Sequence, residues 1–409
     1  MNITTSNITQ LNDALRRSKT PWYARQVILL LQEIEHGCLL IELPNGVQIT
    51  VGHGIPNAYL KFDQWRIFRD VLNKGDIGFA EGYIAGIWHT NDLTGVLTLL
   101  AKNRSALDRA IYGRWWGRLY NRLRHLLNAN TLQGSRRNIA NHYDLGNDFY
   151  SLWLDPSMTY SSARFDGDLS LTLEQAQTRK YQHVLDLLDL PDGQSLLEIG
   201  SGWGGFAEHA ARKAGHRVRG ITLSLEQLKY ARKRIAEAGL VNRCQFEFQD
   251  YREEVQQYDA IVSIEMFEAV GVAYWPAYFD TIKRSLKPGG RAVVQTILID
   301  DTLFERYLAG SDFIQQYVFP GGMLPSPSRF IAEAARAGLK VTRQENFGLD
   351  YAETLKRWRF SFHEQIDTVR AQGYDEHFLR IWQFYLSYCE AGFHAGSIDV
   401  AQFLLEHAA

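Results

Sequence analysis

The sequence predicts an α/β protein: a doubly wound, mostly parallel sheet preceded by a smaller α+β unit. Three observations carry that prediction. Between residues 195 and 298, short β-favouring apolar runs alternate with amphipathic helical stretches, the pattern of strands joined by helical crossovers. At the head of this alternation, SLLEIGSGWGG (residues 195–205) runs a strand into a turn holding Gly200, Gly202, Gly204 and Gly205. Before about residue 100 the order is different, with hairpin-like segments and no internal repeat.

Taken in order, residues 22–51 show an apolar, β-branched pattern around Pro44-Asn45-Gly46, which predicts a hairpin. Residues 65–100 continue with glycines that punctuate strands, and Asp92 is placed to cap a helix over 93–101. From 101 to 137 the chain turns strongly basic: Lys102 and eight arginines from Arg104 to Arg137 meet only Asp108. Trp115, Trp116, Leu119, Tyr120, Leu123, Leu126 and Leu127 recur among them at helical spacing. That composition suits an amphipathic helix on an anionic membrane surface, and equally a connector helix packed on a neighbouring domain. No nucleic-acid recognition module surrounds it.

Residues 141–165, dense in aromatic and small polar side chains, suit the cover of a ligand pocket. A helix over 173–190 leads into the glycine turn, and the alternation follows: helix 206–214, strand 218–221, helix 225–238, strands 244–249 and 258–265, helix 275–286, strand 291–298. A later strand at 340–346 precedes a region predicted to be largely helical to the end. Ligands of such sheets sit at the carboxyl ends of the strands, where Glu198, Thr222, Asp250, Glu265 and Gln295 fall.

Composition bounds the function. With 409 residues, 45% hydrophobic and 22% charged, the chain is long enough for two domains, and a net charge of −2 argues against a general polyanion binder. Cys38, Cys244 and Cys389 are odd in number and widely spaced, which predicts a reducing compartment, no disulfide framework and no metal cluster. The polar N-terminus and the absence of long apolar runs predict a cytoplasmic protein with peripheral association to the inner membrane. The glycine turn fits a nucleotide, but a dinucleotide site wants an acid about twenty residues on. The second strand instead runs into Thr222, Leu223 and Ser224, so nicotinamide cofactors are disfavoured.

Several stretches together resemble the cyclopropane-fatty-acyl-phospholipid synthases, a family of class I S-adenosylmethionine (SAM) methyltransferases. They are HYDLGNDFY, MTYSSARF, LLEIGSGWGG, GITLSLEQ, IVSIEMFEAVG, FPGGMLPS, DYAETL and GSIDVAQF, all within residues 141–404. The resemblance implies an N-terminal lipid-associated domain (1–100), a basic connector (101–137) and a SAM-dependent methyltransferase domain with an acyl-chain site (138–409). It implies SAM contacts at Tyr143, Tyr160, Ser161, Glu198, Gly200, Gly202, Thr222, Leu223 and Gln227, with Asp250 and Tyr251 at the adenine.

For the chemistry, the family holds a bicarbonate ion as proton acceptor. The resemblance assigns Glu268, the carbonyl of Ile297 and Tyr351 to that site. Ser162 and Gln295 stand where the best-known members have cysteine and histidine, which leaves a bicarbonate site possible and not assured. The expected reaction is methyl transfer to the cis double bond of unsaturated acyl chains of phospholipids, giving a cyclopropane, methylene-branched or methyl-branched chain. The expected partners are a phospholipid surface and a second copy of the chain, without nucleic acid. Two alternatives stay open, a soluble small-molecule acceptor and a non-catalytic SAM- and lipid-binding paralogue.

Overall fold

The computed structural model describes residues 2–4, 8–111 and 145–408. Tyr143 and residues 112–137 of the basic connector therefore lie outside the described residues.

The N-terminal unit contains strands β1 (Asn2–Thr4), β2 (Cys38–Glu42), β3 (Gln48–Gly52), β4 (Ala58–Phe62) and β5 (Trp88–His89), in the order β1-β3-β2-β4-β5. Its helices are α1 (Ile8–Arg17), α2 (Trp22–Leu30), α3 (Arg66–Lys74), α4 (Asp76–Ile84), α5 (Leu93–Lys102) and α6 (Arg104–Ile111). The hairpin expected around Pro44-Asn45-Gly46 joins β2 and β3, with Gly46 at φ 76° closing the turn. It begins later than expected, because Trp22–Leu30 is a helix: Ala24, Val27 and Ile28 bury one face at helical spacing.

The glycines read as strand punctuation are also helical. Gly78 and Gly82 lie inside α4, where a Cβ on Gly78 would stand 2.3 Å from the Asp70 carbonyl oxygen and one on Gly82 2.2 Å from Ile67. They are there because α3 and α4 approach too closely for a side chain. Asp92 caps α5 as expected, its carboxylate accepting from Gly95 N–H at 2.9 Å. A domain boundary at residue 100 falls inside α5.

The larger unit opens with α7 (Asn147–Ser151) and α8 (Leu173–Leu188), the latter started by a Thr172/Gln175 capping box. Then come β6 (Ser195–Ile199), α9 (Gly205–Ala214), β7 (Arg217–Thr222), α10 (Leu225–Glu237), β8 (Cys244–Phe248), β9 (Tyr258–Ile264), α11 (Trp275–Ser285) and β10 (Leu286–Ile299). Helices α12 (Asp301–Ala309), α13 (Phe313–Tyr317) and α14 (Pro327–Arg336) lead to β11 (Leu339–Asn346). Helices α15 (Gly348–Glu364), α16 (Ile366–Ala371) and α17 (Glu376–His394) follow, and β12 (Ile398–His407) ends the chain.

The seven strands order as β11-β12-β10-β9-β6-β7-β8. Strands β6 to β10 are parallel, while β12 inserts antiparallel between β10 and β11. The terminal strand corrects the expectation of helix to the end. Its residues Val400 to Leu405 are buried on both faces, so no alternation of polar and apolar residues marks it.

The two units share a core. Trp88 and Phe68 of the N-terminal unit belong to the same apolar cluster as Trp358, Trp382 and Phe384 of α15 and α17. Arg380 donates to the Tyr83 carbonyl at 2.8 Å, tying α17 to the end of α4. Among the described residues no helix is long and apolar enough to cross a membrane.

Candidate active site

Strand β6 lies at the switch in strand order, between β7 and β9, where an open α/β sheet leaves a crevice. The glycine turn fills its carboxyl end. Gly200, Gly202 and Gly204 all have positive φ (84°, 51° and 82°) and deliver the chain into the N-terminus of α9. A Cβ on Gly202 would meet nothing within 4 Å, so this backbone is open to a ligand.

Glu198, near the carboxyl end of β6, is 4% exposed, and its Oε2 has no hydrogen-bond partner. Burial pushes its carboxyl well up, against the pull of Lys180 and Arg234. A buried carboxylate oxygen of this kind suits a cationic group of a ligand, such as the amino group of SAM. At the end of β7, the Thr222 hydroxyl donates to Gln227 Oε1 (3.1 Å) and accepts from Ser224 N–H, fixing the turn with Leu223 half-buried beside it. Asp250 stands at the turn after β8. It is fully buried, and its carboxylate is already held by Arg252 through Nε (2.8 Å) and Nη2 (2.7 Å), with Tyr251 packed next to it.

The acceptor side is assembled from four distant segments. Its centre is Glu265, just beyond β9, in a left-handed conformation (φ 50°) rarely taken by a residue with a side chain. Glu265 Oε1 accepts from Ser162 N–H (2.8 Å) and Gln295 Nε2 (2.7 Å), and Oε2 from the Tyr351 hydroxyl (2.6 Å). Gln402 on β12 donates to Gln295 Oε1 at 2.9 Å, which fixes the Gln295 amide with its NH₂ toward Glu265.

Glu268, one short turn later, accepts from Ile297 N–H at 2.5 Å, and its Oε2 has no hydrogen-bond partner. The arrangement departs from the sequence-based expectation in three ways. Tyr351, Gln295 and Ser162, expected with Glu268 around a bound anion, gather on Glu265. Ile297 turns its N–H to Glu268 where its carbonyl was expected to serve. The Ser162 hydroxyl donates to the Ala163 carbonyl, so Ser162 acts through its backbone.

The charges of the two glutamates differ for a physical reason. Burial pushes both carboxyls up. At Glu265 the Tyr351 hydroxyl, the Lys180 ammonium, Ser162 N–H and the Gln295 amide oppose that push. Glu268 has less help and feels the Glu265 charge, and is driven up to about 8. The donors thus favour the charged form of Glu265, while burial and the Glu265 charge favour the protonated form of Glu268.

Lys180 was missed in the sequence. It is fully buried, donates to Ser161 Oγ at 2.6 Å, and burial draws its ammonium down to about 7 against Glu265, Asp155 and Glu198. Gln177, one turn earlier, holds the Ser161 carbonyl at 2.9 Å. The signal was present: Lys180 stands in the buried stripe of α8, with Ala176, Val184 and Leu187.

Glu265, Glu268, Ile297, Tyr351 and Tyr160 open on one cavity of about 420 Å³, whose other walls are mostly apolar. Leu30, Phe68 and Leu97 of the N-terminal unit line it together with Phe319 and Met323 of the Pro-Gly-Gly loop. Tyr160 bonds Tyr385 through the hydroxyls (2.7 Å) and packs its ring at 5.4 Å from Trp358. The N-terminal unit thus walls the same chamber as the glutamates.

Residues 130–403 match the mycolic acid cyclopropane synthetase family. The chain belongs to that family. It is 39% identical over 345 residues to the tuberculostearic acid methyltransferase UfaA1 of Mycobacterium tuberculosis, covering 82% of this chain and 80% of the relative. It is 34% identical over 362 residues to the cyclopropane-fatty-acyl-phospholipid synthase of Escherichia coli, covering 88% and 91%. Among solved structures, mycolic acid cyclopropane synthase CmaA1 complexed with SAH and CTAB superposes with a TM-score of 0.62 at 32% identity, over 66% of this chain and 97% of that one. The chain is a class I SAM-dependent methyltransferase, in a family whose named members modify fatty acids and mycolic acids.

Proposed function

We propose that the chain methylates the cis double bond of unsaturated acyl chains in phospholipids, as a cytoplasmic enzyme working at the inner membrane surface, and that its own Glu265 takes the place of a bound anion as proton acceptor. The observation that carries the proposal is the convergence of Tyr351, Gln295 and Ser162 N–H on the Glu265 carboxylate, in the wall of an apolar cavity. The donors expected to hold bicarbonate already hold a carboxylate.

SAM, when bound, supplies an electrophilic methyl group strong enough for an isolated alkene. Gly200, Gly202, Thr222, Gln227 and the Glu198 carboxylate are the residues that would hold it. The chain's remaining task is to manage positive charge and one proton. Methylation of an alkene leaves a cation on the neighbouring carbon. The Glu265 carboxylate and the face of Tyr160 offer that charge negative potential in a site that excludes water. Glu265 then removes a proton from the added carbon. Loss before any shift of charge closes a ring, and loss after a hydride shift leaves a methylene branch. Both outcomes use the same base. Glu268, protonated, adds no second negative charge to repel the first.

The test is mass spectrometry of membrane lipids from a host expressing the chain and fed methyl-labelled methionine. A gain of 14 mass units on monounsaturated phospholipids, increased by the mass of the retained label, supports the proposal, and catalytic hydrogenation separates a methylene branch from a ring. Labelled soluble metabolites with unmodified lipids would contradict it.

A further inference from the structure

The apolar cavity has a second polar pole that the methyl-transfer chemistry does not use. Asp76 at the start of α4, Arg104 at the start of α6, Arg306 of α12 and Asp312 at the cap of α13 all line it, with Tyr388 of α17. The first two come from the N-terminal unit and the others from the methyltransferase domain, so the pole sits where the two units meet.

These four charges sense one another. Arg104 and Arg306 both act on Asp76, and Arg104 acts on Asp312. Like charges also oppose: Arg104 helps burial pull the Arg306 guanidinium down to about 10, and Asp76 helps burial push the Asp312 carboxyl up to about 6. Asp76 lines the cavity with much of its surface accessible.

The pole carries two cations and two anions, so its formal charge cancels. An anionic ligand would gain from the arginines and lose to the aspartates. A ligand with both signs a few atoms apart gains from all four. We infer that this pole is a headgroup subsite for a zwitterionic phospholipid, with Arg104 and Arg306 facing the phosphate and Asp76 and Asp312 the ammonium, while an acyl chain runs through the apolar lining toward Glu265. This inference rests on the phospholipid reading above and deepens it. It gives the N-terminal unit a part in substrate choice. Arginine is suited to phosphate by its planar fork, and the carboxylates by their charge to a primary amine.

The experiment uses the full chain in two arms. In the first, retention of saturated lysophosphatidylethanolamine and lysophosphatidylglycerol, neither of which can be methylated, is compared by native mass spectrometry. About tenfold stronger retention of the ethanolamine lipid is expected, the scale of one charge-assisted contact. Equal retention, or preference for the glycerol lipid, overturns the subsite. In the second, turnover on monounsaturated phosphatidylethanolamine and phosphatidylglycerol vesicles is compared for the native chain, Asp76→Asn and Arg306→Gln, with SAM binding as the check on folding. The native chain should prefer the ethanolamine lipid and each variant should lose most of that preference. An unchanged ratio in folded variants overturns the assignment. If no lipid is methylated while ethanolamine-selective retention persists, the proposed function fails and the subsite stands.

Discussion

The two halves of the site hold their ligands by opposite means. On the cofactor side, a run of glycines after β6 brings the backbone itself to the ligand, with Thr222 at the end of β7 and Gln227 at the start of α10 beside it. On the acceptor side, the buried side chains of Gln295 and Tyr351 and the backbone N–H of Ser162 meet through hydrogen bonds around the Glu265 carboxylate. The first half is therefore sensitive to added volume and the second to a change of charge or proton. They meet at Gly200, where a Cβ would lie 2.8 Å from Cβ and Cγ of Met266, the residue between Glu265 and the Glu268 turn.

That contrast can be broken or sharpened by substitution. The largest effect is expected at Glu265. Glu265→Gln keeps the shape and removes the charge, and should lower turnover by about 10²–10⁴-fold, the usual worth of a general base, with SAM affinity little changed. Single-turnover methyl transfer and equilibrium SAM binding separate the two quantities.

Gly200→Ala is expected to do the reverse. Both the clash with Met266 and the strained φ of 84° act against it, at a cost of about 1–3 kcal/mol in stability, and SAM affinity should fall more than the rate at saturating SAM. Calorimetry with and without SAM reads both. A rate loss with unaltered affinity would deny the division between the halves.

A smaller loss, about tenfold in turnover, is expected for Tyr351→Phe, which removes one of three donors to Glu265. The acid limb of the pH–rate profile should move up, because that donor favours the charged carboxylate.

The smallest effect on rate is expected from Glu268→Gln, since glutamine mimics the protonated acid. Its effect belongs to stability. The folded Glu268 titrates near 8, above the ordinary 4.5, so between those values the folded chain keeps a proton that the unfolded chain has lost. Stability falls as pH rises through that window. Glu268→Gln removes this slope, and its thermal midpoint should gain on the native chain's from about pH 5 to about pH 8.

The cofactor half was legible because it is local. A strand, four glycines and a helix in sequence state their own geometry, and the β/α alternation from β6 to β10 places them. The acceptor half was legible only in its parts. Glu265 stood at the end of a predicted strand, but nothing local shows that φ turns positive there or that three distant donors converge on its side chain. Glu268, Ile297 and Tyr351 were found through the family resemblance, and the structure redistributes their contacts. Two elements were hidden by packing. The glycines of α4 look like turn signals until α3 is seen against them, and β12, buried on both faces, carries no alternation to distinguish it from helix.

The most direct test of the central claim is chemical rescue of Glu265→Gly. Glycine suits the positive φ at this position and removes the carboxylate while leaving Tyr351, Gln295 and Ser162 N–H in place. Turnover should be nearly absent in bicarbonate-free buffer and should return saturably as bicarbonate is added, while the native chain should be indifferent to it. Turnover by the variant at the native rate without added anion would contradict the role assigned to Glu265.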